Sequence, residues 1–124
     1  MKIRIKGNSV RLRLTKSEID LFKNTGTVKE ETNFGTHTLT YKLQRGGDGK
    51  DLSSTFDGTT VTVFMPEKMS DEWTSTEWVG YDNHMPLPDG QSLFLMVEKD
   101  FKCLDGTTED QSDMFDNPLA DSHK

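Results

Sequence analysis

Residues 2–18 read Lys2-Ile3-Arg4-Ile5-Lys6-Gly7-Asn8-Ser9-Val10-Arg11-Leu12-Arg13-Leu14-Thr15-Lys16-Ser17-Glu18. Apolar and basic residues alternate at period two on both sides of Gly7-Asn8-Ser9, the pattern of two half-buried strands joined by a turn. Side chains alternate across a strand. Ile3, Ile5, Val10, Leu12 and Leu14 therefore share the core face, and Lys2, Arg4, Lys6, Arg11 and Arg13 share the other. The pattern then changes to that of a helix start. Thr15 and Glu18 have capping-box spacing, Leu14 and Ile19 are placed as a hydrophobic staple, and Asn24 to Gly26 can end the turn. This predicts a short helix from about Lys16 to Lys23.

Working outward, Val28 to Phe34 and His37 to Leu43 read as a second hairpin around Gly35-Thr36, with Leu39, Tyr41 and Leu43 inward. Residues 45–51, with Gly46-Gly47-Asp48-Gly49, read as a link. The same order then recurs: strands at Leu52 to Phe56 and Thr60 to Met65, a helix from about Pro66 to Trp73, and strands at Glu77 to Tyr81 and Ser92 to Asp100. A shift of 51 positions lays Val10, Leu12 and Leu14 over Val61, Val63 and Met65, each set followed by a helix. The expectation is an α+β fold, an antiparallel sheet or open barrel made of two ββαββ pseudo-repeats at about 1–45 and 52–100. One domain would span 1–103. Residues 104–124 carry acids among Gly, Thr, Ser and Asn, which predicts a mobile acidic tail in which Met114, Phe115 and Leu119 could anchor a short segment.

The chain has 124 residues and a net charge of -6. That charge is unevenly spread: residues 1–50 hold 11 Lys/Arg against 5 Asp/Glu, and residues 51–124 hold 4 Lys against 16 Asp/Glu. Such asymmetry suits either mutual attraction of the halves or a basic surface meeting an anionic partner. No apolar run has the length of a membrane span, and the alternating start lacks the continuous apolar stretch of a signal peptide. The single Cys103 cannot form an internal disulfide, and His37, His84 and His123 show no zinc-type spacing. A cytoplasmic, reducing compartment is expected, with no metal and no cofactor.

The segment from Lys2 to Glu18, together with the closing Glu109-Asp110 to Asp116-Asn117-Pro118-Leu119, resembles a family of small, uncharacterised bacterial proteins classed as a domain of unknown function. Doubled strand-rich halves with a basic face are also similar in outline to the triphosphate tunnel (CYTH) superfamily. That resemblance implies an antiparallel barrel binding triphosphate and metal. The superfamily opens on a strand of alternating glutamates ending in lysine; here Lys2, Arg4 and Lys6 take those positions, so only Lys6 matches in type and the metal-holding acids are replaced by cations.

Lys2, Arg4, Lys6, Arg11 and Arg13, extended by Lys42 and by Arg45, are the candidate anion site, since Arg offers bidentate donors and Lys a point charge. The plain alternative is solvation of an exposed sheet face, with lysines guarding an edge strand. Glu77, Glu98 and Asp100 could approach this face and form either ion pairs or an acid and metal-ligand set, of which paired structural charges are the simpler reading. Negative net charge and the lack of aromatics between the basic residues argue against nucleic acid. A thiol nucleophile at Cys103 beside His37 or His84 would need several coincidences, and the Asp-Gly pairs lack the ligand pattern of a calcium loop. Trp73, Trp78, Phe94 and Met96 read as core of the second half. The sequence thus points to a noncatalytic binding protein that engages a small anionic ligand or an acidic protein segment. An enzyme handling phosphate esters or nucleotides on a tunnel-like fold is the alternative.

Overall fold

The computed structural model describes residues 1–101 and Phe115. Its elements run β1 (Lys2–Ile5), β2 (Ser9–Leu14), α1 (Lys16–Thr25), β3 (Thr27–Asn33) and β4 (Thr38–Arg45), then β5 (Ser53–Phe56), β6 (Thr60–Met65), α2 (Glu67–Ser75), β7 (Gly80–Pro86) and β8 (Ser92–Lys99). The order ββαββ therefore occurs twice. The expected tail at 104–124 lies outside the described residues except for Phe115, as do Cys103, Met114 and Leu119.

α1 forms where its caps dictate. The Thr15 amide donates to Glu18 Oε1 at 3.0 Å, and Gly26, at φ 80°, turns its N–H onto the Phe22 carbonyl at 2.8 Å. A left-handed residue at this position favours glycine because it has no Cβ. α2 starts after Pro66, and the Ser70 hydroxyl donates to the carbonyls of Met65 and Pro66.

The strands form two four-stranded sheets, β1-β2-β8-β7 and β3-β4-β6-β5. The expectation of a wholly antiparallel sheet is corrected here. Each sheet is mixed, with a parallel seam at its centre: Leu12 lies beside Val97 in the first, and Leu43 beside Val63 in the second. Among the described residues no ladder joins the sheets into a closed barrel. The physical reason is that a tight turn forces the two strands of a hairpin to run antiparallel, whereas an alternating apolar pattern is indifferent to the direction of its next neighbour.

Both seams join different halves of the chain, so each sheet takes one hairpin from residues 1–45 and one from 53–99. The registers also correspond. Lys2 opposes Arg13 and Ser9 lies beside Phe94; 51 positions later, Ser53 opposes Phe64 and Thr60 lies beside Thr40.

The inner faces of both sheets, with Leu12, Leu14, Leu43, Val63, Met65, Leu95 and Val97, form one core with Phe22 and Trp73 from the helices. The Phe22 and Trp73 rings meet edge to face, centroids 6.1 Å apart, and Trp73 Nε1 donates to the Val79 carbonyl at 2.9 Å. The sheets also touch along their edges, where Asn83 Nδ2 donates to the Leu52 carbonyl at 2.8 Å. Trp78, read from sequence as core, is 54% exposed. The Phe115 ring meets Phe101 edge to face, centroids 5.8 Å apart, and its N–H reaches the Asp100 carbonyl at 2.8 Å, so that one anchor of the closing segment does dock. Among the described residues no helix is long and apolar enough to cross a membrane.

Candidate anion-binding face

The β1–β2 hairpin sets the geometry of the cations. Lys2 lies opposite Arg13 and Arg4 opposite Arg11, so all four project from the outer face of the first sheet. Lys6 follows directly, at the turn. Its N–H donates to the Ser9 carbonyl at 3.2 Å, and the Ser9 hydroxyl donates back to the Lys6 carbonyl at 2.6 Å. The parallel seam adds β8, whose Phe94, Met96 and Glu98 stand beside Ser9, Arg11 and Arg13.

Two adjoining concavities lie on this face. One, of about 200 Å³, is lined by Arg4, Lys6, Ser9, Arg11 and Phe94. The other, of about 300 Å³, is lined by Lys2, Ile3, Arg4, Arg11 and Arg13. Arg4 and Arg11 belong to both.

The acids divide the five cations into two groups. Arg13 Nε donates to Glu98 Oε1 at 2.7 Å, and Lys2 Nζ lies 3.4 Å from the buried Asp100 Oδ2. Glu98 and Asp100 thus approach the face as the sequence suggested; Glu77 instead acts on Lys99. Burial lowers the Lys99 pKa and the Glu77 charge opposes that shift. Arg4, Lys6 and Arg11 form no ion pair among the described residues. Three cations around one concavity are left with charge to offer.

Lys42 does not join them. It sits on β4 of the second sheet, opposite Lys29 and beside Thr62, on a different outer face. Arg45 is likewise separate and pairs with Asp71 of α2. The sequence grouped these residues by composition, but the chain crosses from one sheet to the other through α1 between Arg13 and Lys42.

Two participants escaped sequence reading. Ser9 lay in a turn and Phe94 in a supposed core strand; only the parallel seam, which joins positions 85 apart, brings them together. Phe94 also carries His84 on its far side, ring centroids 4.9 Å apart. No group of three or more His, Cys, Asp or Glu is placed to hold a metal ion among the described residues.

Comparison with curated proteins gives no match, and neither does comparison with solved structures. A family model does match, over residues 1–119. The chain belongs to that family, a family of unknown function (DUF7009).

Proposed function

We propose that the outer face of the β1–β2 hairpin is an anion-binding surface, with Arg4, Lys6 and Arg11 as its centre, and that the protein acts as a noncatalytic binding protein. On this reading the two ββαββ stretches are repeats of one unit, and their correspondence supplies the observation that carries the proposal. Positions 51 residues after Arg4, Lys6 and Arg11 hold Thr55, Asp57 and Thr62, at matching registers of the β5–β6 hairpin. The outward position matching Arg4 is met there by the exposed, neutral Thr55, while Thr62, at the position matching Arg11, is buried. Asp57 spends its carboxylate on its own turn, accepting from the amides of Thr59 at 2.9 Å and Thr60 at 2.7 Å. Thr55 shows that an exposed strand position on this scaffold does not of itself require a cation, and placing Arg4 directly opposite Arg11 works against folding. Binding gives the charges a purpose that solvation does not.

The ligand this face suits is a compact phosphate or carboxylate group. Arg4 and Arg11 can each offer a planar fork to paired oxygens while Lys6 supplies a mobile point charge. Titration calorimetry with inorganic pyrophosphate tests the reading. Binding should be measurable at about 0.1 M salt and weaken at about 1 M, as the Debye length falls from about 10 Å to about 3 Å. Arg4→Gln and Arg11→Gln should each lower affinity by about tenfold or more, the scale of one charge-assisted hydrogen bond. Lys42→Gln, on the other sheet, should leave it unchanged. Equal affinity in all four proteins, or no binding by the wild type, would refute the proposal.

A further inference from the structure

Among the described residues, the space between the two sheets is closed at one end and open at the other. At the ends of β2 and β6 from which the helices depart, Phe22 and Trp73 fill it. At the opposite ends lies a cleft of about 440 Å³ whose walls include Ile5, Phe56, Val10, Val61, Leu39 and Leu93. These are corresponding pairs: Ile5 with Phe56 and Val10 with Val61 are 51 positions apart, and Leu39 with Leu93 are 54 apart. The cleft thus lies where the two ββαββ stretches meet, flanked alike on both sides. Met85 and Leu87 add apolar surface on one side only.

Ile5 and Phe56 are 59% and 64% exposed, although period-two alternation aims both toward the inner face. Large apolar side chains left in water around a cavity of this size are the mark of a ligand site. The rim says which ligand. Ser9 lines both this cleft and the concavity of Arg4, Lys6 and Arg11. Ile5 and Lys6 are successive residues, about 3.3 Å apart along the strand, and they face opposite ways, one to the cleft and one to the cations. Only the tip of the β1–β2 hairpin separates an apolar cleft from a cationic patch.

We infer that the open end of the sandwich binds an amphipathic anion, a linear apolar chain lying between the sheets with its carboxylate or phosphate head turned over the hairpin tip onto Lys6 and its neighbouring arginines. The head-group half of this inference rests on the proposed anion site, while the chain half rests on the cleft alone.

The test is a calorimetric series on the full chain with hexanoate, octanoate and decanoate below their aggregation thresholds, beside inorganic pyrophosphate and anionic phospholipid vesicles. Each methylene taken into the cleft should strengthen binding about fourfold. Leu39→Trp, which fills the mouth, should abolish that dependence on chain length while leaving pyrophosphate affinity intact, and that retained affinity reports a folded protein. Lys6→Gln should weaken decanoate and pyrophosphate alike. Affinity that does not change from hexanoate to decanoate in the wild type overturns the inference whether or not the Trp variant folds, and does so even where pyrophosphate binds. Loss of pyrophosphate binding with a retained chain-length dependence would instead overturn the head-group assignment. Vesicle binding without binding of monomeric decanoate would replace the cleft with a membrane-surface contact.

Discussion

Replacing Arg11 with threonine, the residue at the corresponding position 62, should make the ligand-free protein more stable. Arg11 lies directly across the ladder from Arg4, and opposed charges of like sign destabilise an antiparallel pair by an energy on the scale of other cross-strand pairs, roughly 0.2–1 kcal/mol. A mid-range gain of ~0.5 kcal/mol corresponds to a rise in Tm of about 1–3 °C for a domain near this size. Thermal unfolding followed by circular dichroism at about 0.01 M and about 1 M salt separates charge from shape, since the Debye length falls from about 30 Å to about 3 Å between them. The gain should be present at low salt and vanish at high salt. The same variant should lose the stabilisation conferred by pyrophosphate, which in the wild type reaches about 2.7 kcal/mol at a hundred times Kd. A loss of stability of equal size at both salt levels would refute the reasoning. It would show that the half-buried Arg11 is held for the packing of its stem.

Gly80→Ala should be strongly destabilising, by about 1–3 kcal/mol or more in urea denaturation, because a Cβ there would lie 2.1 Å from the Val97 carbonyl oxygen across the β7–β8 ladder. Glu18 links stability to pH. Burial pushes its carboxyl up, but hydrogen bonds from the Met1 ammonium and the Thr15 amide outweigh this and hold its pKa below the ordinary 4.5. A depressed folded pKa contributes stability that is present above 4.5 and is lost as the pH falls through the lower folded value, so Glu18→Gln should flatten the acid limb of a Tm-against-pH curve. Trp73→Phe should cost about 1–3 kcal/mol, measured by chemical denaturation, by removing the indole's hydrogen bond to the Val79 carbonyl, which keeps only the Lys99 N–H, and by leaving a void in the buried core.

Much of this architecture was legible in the sequence. The hairpins, the Thr15–Glu18 cap and the stop at Gly26 are encoded within a few residues of each other, and local signals of that kind survive folding unchanged. β7 was misplaced, expected at Glu77 to Tyr81 and found at Gly80–Pro86, because an inward-facing Asn83 interrupts the apolar alternation of Tyr81 and Met85. Its side chain is occupied by the Leu52 carbonyl of the other sheet, a partner no local pattern announces. The cation cluster was readable as far as the hairpin reaches, through Lys2, Arg4, Lys6, Arg11 and Arg13. Lys42 was grouped with them because composition carries no information about which sheet a strand joins. The cleft was invisible for the same reason: Ile5 and Phe56 look like core residues until the end of the sandwich is seen to be open.

The exchange of hairpins also accounts for the uneven charge. Each sheet joins a hairpin from the basic stretch to one from the acidic stretch, and the ion pairs Arg13–Glu98, Lys2–Asp100 and Arg45–Asp71 all bridge the two. Isolated, residues 1–45 would leave the inner edges of β2 and β4 without their parallel partners and would expose Leu12, Leu14 and Leu43, which are buried against the other stretch. Neither stretch can satisfy its backbone or cover its apolar face alone, so the glycine-rich link at residues 46–49 is a crossing point within one fold and not a boundary between two. Opposite charge favours the correct pairing of the halves over self-association of either one. Arg4, Lys6 and Arg11 take no part in these ion pairs among the described residues; they gather around one concavity beside the apolar cleft, where the proposed ligand site lies.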